Sequence, residues 1–585
     1  MEKMVKIKIN GKTIEAKEGS TILDAASKSN IEIPTLCYHS DLEPKPHCRI
    51  CCVQVKGRKG LYPACVTQAE GGMEVITDSE MVKKAIKINI ELIFGQHRRE
   101  CLDCVYRYNC QLLKIAGRYK ADINRFKLRK GECPVSEFGP ILFDSSKCID
   151  CRNCVEMCSK QGVNFLEITK EEYCAKVKPS SKENRDCVYC GQCLAHCPVG
   201  AFESNREFEE IENPFKNDGK IAIVQFAPAL RVSIGDFFDL PHGTVVTEKI
   251  AAALRRIGVS KVFDTSLGAD FTTIEEAKEL VARLKDKKNL PMFTSCCPSW
   301  VNFLEFNYYE FLNHLTSARS PHIILGGLIK TYWAEKNGYK PEDIKVISIM
   351  PCTSKKYEIE REELKIKNVK PVDYVLTTRE LAYLFIRKGI DLKNVKPESL
   401  DNPFGLPSGA GVIYGASGGV MESALRTAHQ EMSEEKINGE SIPVEFKKVR
   451  GMKGVKEAKI KMGKKIVSVA VINGLGEAKL MMEKLRNGKI KYDYVEVMAC
   501  PGGCIGGGGQ PLPTSDKIRS DRVAGLYAID SDKEIRKAHE NPLAKEIYKD
   551  FVKSDKEMLR SIFHTTYSQK KKSRITKKHL NICPG

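Results

Sequence analysis

No stretch of apolar residues in this 585-residue chain reaches the length of about 20 that a membrane-crossing helix requires. The opening residues, MEKMVKIKIN, also lack the apolar core of a secretory signal. A cytoplasmic protein with no membrane partner is therefore expected. Gly and Pro are not in excess, at 43 and 26 residues, which excludes fibrous and low-complexity chains. With 42% hydrophobic residues, the length points to several globular domains, each able to bury a core.

What the chain has in quantity is cysteine, 24 in all. A disulfide framework is not expected in the cytoplasm, so the cysteines point to metal. Cys148, Cys151, Cys154 and Cys158 read C-x2-C-x2-C-x3-C, and Cys187, Cys190, Cys193 and Cys197 repeat the run, closing on Pro198. This duplicated run is the signature of bacterial ferredoxins, in which the fourth Cys of each run ligates the other cluster. One 4Fe-4S cluster is expected on Cys148, Cys151, Cys154 and Cys197, another on Cys158, Cys187, Cys190 and Cys193. Zinc usually takes isolated C-x2-C pairs instead of triplets.

Upstream, residues 4–9 alternate, Asn10-Gly11 is a hairpin turn, Thr13 to Ala16 return as a strand, and a helix starts near Ser20. Cys37, Cys48, Cys51 and Cys65 have a wide-narrow-wide spacing that resembles 2Fe-2S ferredoxins of the β-grasp type. Cys51 and Cys52 are adjacent; the C-x2-C step from Cys48 selects Cys51, and strand alternation sends Cys52 to the opposite face as core. His97, Cys101, Cys104 and Cys110 follow. One His and three Cys suit zinc as well, but between iron-sulfur modules the set resembles the His-ligated 4Fe-4S cluster of complex I-type and hydrogenase accessory domains. A neutral imidazole in place of a thiolate raises a cluster's potential.

The expected fold class is multidomain, α+β and α/β: a 2Fe-2S β-grasp domain over 1–80, a His-ligated 4Fe-4S domain over 81–128, a ferredoxin-like domain with two 4Fe-4S clusters over 129–210, and a large α/β domain over 211–585. An acidic link, Glu203 to Glu212, leads into the last. There short apolar strands run into loops at Ala227-Pro228, Asp264-Thr265, Thr294 to Cys297, Pro351-Cys352 and Ala499 to Cys504. Ligands of parallel sheets bind off the carboxyl ends of strands, so Cys296, Cys297, Cys352, Cys500 and Cys504 are placed around one pocket.

TSCCPSW (294–300), Met350-Pro-Cys-Thr-Ser-Lys-Lys-Tyr-Glu358 and Glu496-Val-Met-Ala-Cys-Pro-Gly-Gly-Cys504 with its glycine run resemble the three active-site signatures of FeFe hydrogenases. The accessory modules stand in the order of the clostridial monomeric, ferredoxin-linked type. The resemblance implies reversible oxidation of dihydrogen under anaerobic conditions at an H-cluster. That cofactor is a 4Fe-4S cube joined through one cysteine to a two-iron unit with CO, cyanide and an azadithiolate, inserted by dedicated maturation proteins. It implies Cys297, Cys352, Cys500 and Cys504 as cube ligands, Cys504 bridging, and Cys296 as a thiol that passes protons. A free thiol titrates not far above neutrality and suits that task. Lys355 would donate to a cyanide with Glu358 fixing its ammonium. Backbone at Ala227, Pro228, Gly418 and Gly419 would cradle the two-iron unit, and Met350, Pro351 and Met498 would pack against it.

Thr272-Thr-Ile-Glu275 reads as a capping box opening a helix that carries Glu276, Glu279 and Arg283 on one face. On its own this is a charged surface helix. The resemblance adds Thr316 and makes Glu276, Thr316, Glu279 and Arg283 a proton relay.

Other signals are set aside. Gly409 to Gly415 imitates a dinucleotide fingerprint, but no strand precedes it, so NAD is not expected. His322 stands where the family carries a polar amide, and its role is open. Cys133, Cys174 and Cys583 have no partner spacing. The tail Lys570 to Lys578 reads as a solvated end, with no nucleic acid implied. The formal charge of +19 is cut by roughly nine charges once five iron-sulfur units and their thiolates are counted. The remainder favours an acidic ferredoxin as electron carrier. The rivals are a complex I-like electron-transfer subunit, which accounts only for the first 210 residues, and a hydrogen-sensing or iron-sulfur assembly relative. Assembly homologues tend to lose the residues matching Cys296 and Lys355.

Overall fold

The computed structural model describes residues 3–571 except 100, 103, 129–134, 172–173, 183–184, 205–207, 433–444 and 453. Cys133, Cys583 and all but the first two residues of the lysine-rich tail lie outside them. The N-terminal strands Met4–Ile9 and Lys12–Lys17 pair antiparallel about Asn10-Gly11, both at positive φ, as a two-residue hairpin turn demands. They join a five-stranded mixed sheet. The helix Ile22–Lys28 starts at Thr21 with a reciprocal capping box. Cys51 belongs to the core of this sheet, whereas Cys52 packs on its other side against Ile86, Ile90 and Phe94 of the helix Glu80–Gln96. That helix ends at His97, its C-cap.

The next module is built on short hairpins and on the helices Asn153–Lys160 and Gln192–Ala195. Glu203 is not part of an exposed link: it pairs with Leu142 in a three-stranded sheet and is buried. The connection is instead the short helix Phe208–Glu212, whose Ile211 enters the same core as Leu381 and Leu384 of the following unit.

That unit holds two four-stranded sheets. In the first, Lys261–Asp264, Ile221–Phe226, Ile344–Met350 and Tyr374–Thr377 lie side by side, all parallel. In the second, Met292–Phe293, Tyr494–Met498 and Lys465–Asn473 are parallel and Val455–Met462 closes the edge antiparallel. Every residue of Ile344–Met350 and of Tyr494–Met498 is buried, the continuous apolar reading of strands covered on both faces.

The helix after Lys261–Asp264 does not open at Thr272. It runs Thr265–Asp286 with Asp264 as N-cap, accepting from Ser266 N. Asp264 sits at the strand's end and is held by Arg231 at 2.7 and 2.9 Å, so the cap forms there. Thr272 and Thr273 lie in the helix interior. Thr272 Oγ1 donates back to Gly268 O at 3.1 Å, and Thr273 Oγ1 bonds the Tyr414 and Ser423 hydroxyls.

Two contacts lock the accessory modules to the large unit. Arg519 grips Asp41 at 2.6 and 2.9 Å, and His196 Nε2 stands 3.2 Å from the same carboxylate. Gly191 meets Gly508 backbone to backbone: a Cβ on Gly508 would fall 2.6 Å from Gly191 Cα. Gln192 Nε2 donates to Gly506 O and Thr353 Oγ1 to Tyr189 O alongside. Gly508→Ala is therefore expected to cost about 1–3 kcal/mol, as overpacking does. Gly117→Ala, whose Cβ meets nothing within 4 Å, is expected to be neutral or stabilising by up to about 1 kcal/mol. Denaturant midpoints of the two variants check this.

Candidate functional site

The carboxyl ends of both sheets open on one cavity with about 750 Å³ of atom-free space. Ile221–Phe226 delivers Ala227 and Pro228, Met292–Phe293 delivers Cys296 and Cys297, Ile344–Met350 delivers Pro351 and Cys352, and Tyr494–Met498 delivers Ala499 and Cys500. Met350 and Met498 close the apolar wall, and Cys504 enters from a short 3-10 turn. All five cysteines expected around a pocket line it, as does Lys355.

Gly418 and Gly419 do not line it. Gly418, at φ +86°, donates to Glu496 Oε1 at 2.6 Å, and a Cβ there would fall 2.2 Å from Val449 O; on Gly419 it would fall 1.8 Å from Ile413 O. They are small because a helix start is pressed against neighbouring backbone. Tyr414 and Gly415 take the place on the wall. They end the very segment whose glycines imitate a dinucleotide fingerprint, which hid them in the sequence.

Burial pushes the Cys297 thiol up, and pushes Cys352 and Cys504 up to about 12, with the neighbouring sulfurs adding to the latter two. Cys500 is driven higher still, by burial and then by Cys352 and Cys297. Four crowded, desolvated sulfurs fit a cationic metal cluster, which replaces the protons such thiols otherwise keep. Lys355 is the cation beside them. Burial pulls its pKa down, but Glu358 at 2.7 Å more than offsets this and keeps it charged.

Cys296 lies on the same wall with different neighbours. Burial raises its pKa well above the ordinary value, and Glu276 adds most to the rise after burial. Glu276 sits fully buried in the helix Thr265–Asp286, and its Oε1 has no hydrogen-bond partner. Burial pushes it up to about 8; the Tyr494 hydroxyl, close by but outside hydrogen-bond geometry, pulls the other way, and Glu279 and Glu496 add to the rise. One turn on, Glu279 Oε2 accepts from Thr316 Oγ1 at 2.8 Å, and Arg283 bonds the other oxygen. Glu279 and Arg283 are only half-buried, so the row leads outward. Ser317, which the sequence did not single out, adds its N–H and hydroxyl to Glu279 Oε2 at 2.9 and 3.0 Å.

The accessory cysteines gather in four sets. Cys37 with Cys48, and Cys51 with Cys65, shift one another's pKa through hydrogen bonds within each pair, and Cys37 and Cys48 also raise Cys65. His97, Cys101, Cys104 and Cys110 line one small cavity, where His97 Nδ1 lies 2.7 Å from Lys147 O. A carbonyl only accepts, so Nδ1 carries the hydrogen and Nε2 is left to ligate. After burial, the groups acting most on Cys154 are Cys151, Cys148 and Cys197, with Cys193 next, and those acting most on Cys193 are Cys190, Cys187 and Cys158, with Cys197 next. The fourth Cys of each run thus acts on the opposite run, as crossed sets would require. Cys190 also feels Cys352 and Cys297 of the large cavity. Cys174 opens the strand Cys174–Pro179, where it pairs with Glu171.

Residues 220–508 match the family described as iron only hydrogenase large subunit, C-terminal domain, and residues 516–570 match iron hydrogenase small subunit. Residues 2–80 match a 2Fe-2S iron-sulfur cluster binding domain and residues 147–201 a 4Fe-4S dicluster domain. The chain is 40% identical to the NADP-reducing hydrogenase subunit HndD of Solidesulfovibrio fructosivorans, over 97% of this chain and 100% of that one. It is 38% identical to iron hydrogenase 1 of Clostridium pasteurianum, again over 97% and 100%. A solved structure of FeFe-hydrogenase HydA1 from Chlamydomonas reinhardtii aligns with a TM-score of 0.55 and 37% identity, covering 62% of this chain and 98% of that one.

Glu276 titrates at its ordinary value of 4.5 when unfolded and at about 8 in the fold. The native state therefore holds the extra proton in this window, and the stability tied to it is present below 4.5 and lost as pH rises through 8. Denaturant midpoints against pH are expected to show Glu276→Gln gaining on the parent across the window, with a constant difference on either side.

Proposed function

We propose how this chain, which belongs to the iron-only hydrogenase family and catalyses the reversible oxidation of dihydrogen to two protons and two electrons, divides that reaction among its residues. When bound, the H-cluster supplies the cleavage of dihydrogen and the first acceptance of electrons. Cys297, Cys352, Cys500 and Cys504 would hold its cube, and Cys504 would also anchor the two-iron unit. Ala227, Pro228, Met350, Pro351 and Met498 form a wall that keeps water away from it. Lys355, kept charged by Glu358, donates to a cyanide on the two-iron side.

The observation that carries the reading is the fifth sulfur. Cys296 shares the cavity with the four ligands, yet its principal partner is a buried carboxylate. It holds a proton on Sγ and exchanges it with Glu276, whose Oε1 is uncommitted and whose pKa of about 8 lets it take and release protons near neutrality. Thr316, Glu279 and Arg283 continue the path to the half-buried side of the helix. Threonine at 316 keeps the hydroxyl, with fewer rotamers than serine has.

The accessory cysteines and His97 would hold one 2Fe-2S and three 4Fe-4S clusters, which would supply the electron path. Cys37, Cys48, Cys51 and Cys65 hold the first, and His97, Cys101, Cys104 and Cys110 the His-ligated one. The remaining two take the crossed sets described above. The set containing Cys190 adjoins the catalytic cavity and delivers electrons to it. No helix among the described residues is long and apolar enough to cross a membrane; we assign the protein to the cytoplasm, with maturation proteins inserting the two-iron unit.

The positive balance left after the cofactors are counted suits an acidic ferredoxin as carrier. The full-length match to a subunit of an NADP-reducing hydrogenase favours a second reading, in which companion subunits of a stable complex take the electrons. Salt separates the two. With ferredoxin, turnover is expected to fall as the screening length shrinks from about 30 Å at 0.01 M to about 3 Å at 1 M; in a preformed complex it is expected to stay level.

For the chemistry itself, Cys296→Ser is expected to abolish nearly all viologen-linked hydrogen turnover, and Cys296→Asp, with a carboxylate able to carry the proton, to retain part of it. Glu276→Gln is expected to lose roughly 10²–10⁴-fold. Infrared bands of the matured cofactor, unchanged in number, would establish that the site is still loaded in each variant; full activity in both Cys296 variants would remove the thiol from the proton path.

A further inference from the structure

His322 is a buried titratable side chain on the cavity wall to which the reaction above gives no task. It stands in the first turn of the helix Pro321–Leu328, beside the cross-strand pair Gln225 and Ser348 of the first sheet. Both ring nitrogens are engaged. Nε2 lies 2.6 Å from Glu358 Oε2, and Nδ1 lies 3.3 Å from Ser348 Oγ.

The hydrogens can be placed from these partners. Burial pushes the Glu358 pKa up, but Lys355 and His322 more than reverse this and bring it to about 2, so the carboxylate is ionised and only accepts. The imidazole hydrogen therefore sits on Nε2. Ser348 Oγ already accepts from Gln225 Nε2 at 2.9 Å, which leaves its own hydrogen for Nδ1. Burial and then Lys355 hold the ring's pKa down, against the pull of Glu358. The ring is neutral, in one tautomer, and Gln225 Nε2 also fixes its backbone through His322 O at 2.8 Å.

Glu358 Oε2 is shared. The same oxygen accepts Lys355 Nζ at 2.7 Å, and Nζ also reaches Cys296 O at 3.1 Å. We propose that His322 is a positioning residue for Lys355: by donating to the carboxylate oxygen that anchors the ammonium, it fixes that oxygen and leaves more of the lysine's charge directed at the cavity. The inference rests on the role given to Lys355 above. A rigid ring pinned between Ser348 and Glu358 sets one carboxylate orientation, where a flexible side chain would allow several. Without the second donor, Glu358 would neutralise Lys355 more fully, and the lysine's hydrogen bond to a cyanide would weaken.

The test is the infrared spectrum of the matured enzyme, read at the cyanide and CO bands in Lys355→Met, His322→Leu, His322→Gln and Ser348→Ala. Lys355→Met is expected to move the cyanide bands. His322→Leu is expected to move them in the same direction by less, and His322→Gln, which keeps an N–H donor, to bring them back toward the parent. If Lys355→Met moves the bands and His322→Leu does not, the inference is wrong while the lysine's role stands. If neither moves them, the lysine's role itself is wrong, and the inference falls with it. Equal displacement in Leu and Gln would make cavity volume the cause and would also overturn the proposal. Should His322→Leu fail to load its iron, Ser348→Ala decides, since Ser348 does not line the cavity: a displacement smaller than that of Lys355→Met supports the proposal, and unchanged bands overturn it.

Discussion

A sulfur taken out of water without a counter-charge is the constraint on which the large unit depends. Cys297, Cys352, Cys500 and Cys504 are all forced toward the protonated form by burial. Thiols in that condition bind no proton donor well and pack no better than a small apolar residue. Four of them collected on one apolar wall from the ends of three strands fit iron, which would supply the positive charge. The two sheets supply the means, since each places strand ends on the cavity and neither alone could furnish all the ligands. Cys296 is the exception that makes the site chemical. It shares the burial, but the group that acts on it most after burial is Glu276 and not another sulfur, which sets it apart from the four.

How much of this could be read from the residues alone depended on whether the information was local. The ligand runs were legible because metal-binding cysteines must recur at spacings fixed by the cluster, and those spacings survive in the sequence. Even the Cys51-Cys52 ambiguity yielded to strand alternation. The five strands that end on the cavity were visible as short apolar runs. Tyr374–Thr377, Val455–Met462 and Lys465–Asn473 stand outside that set; Val455–Met462 intersperses lysine and glutamate with apolar residues, as an edge strand does, and so reads as surface.

Tertiary partners were the part that could not be seen. Thr272 to Glu275 carries every residue type a capping box needs, yet a better cap, Asp264, stands earlier and is secured by Arg231 from another element. The glycines at 418 and 419 look like a cofactor cradle and serve packing, while Gly415, three positions earlier, lies on the wall. Ser317 and His322 are ordinary in sequence. Their meaning comes from Glu279 and Glu358, which only the fold brings to them. Glycine patterns and single polar residues carry little information until the neighbour across the gap is known.

The contact between Gly191 and Gly508 bears on how such a protein can be rebuilt. Modular electron carriers invite exchange, one ferredoxin cassette for another. Here the seam brings main chain against main chain at its tightest point, with only Gln192 and Thr353 bonding across it alongside. A replacement cassette would need a residue without a Cβ at that one place and the same path of backbone around it. The domain order looks like beads on a string, but the last bead before the catalytic unit is machined to fit it.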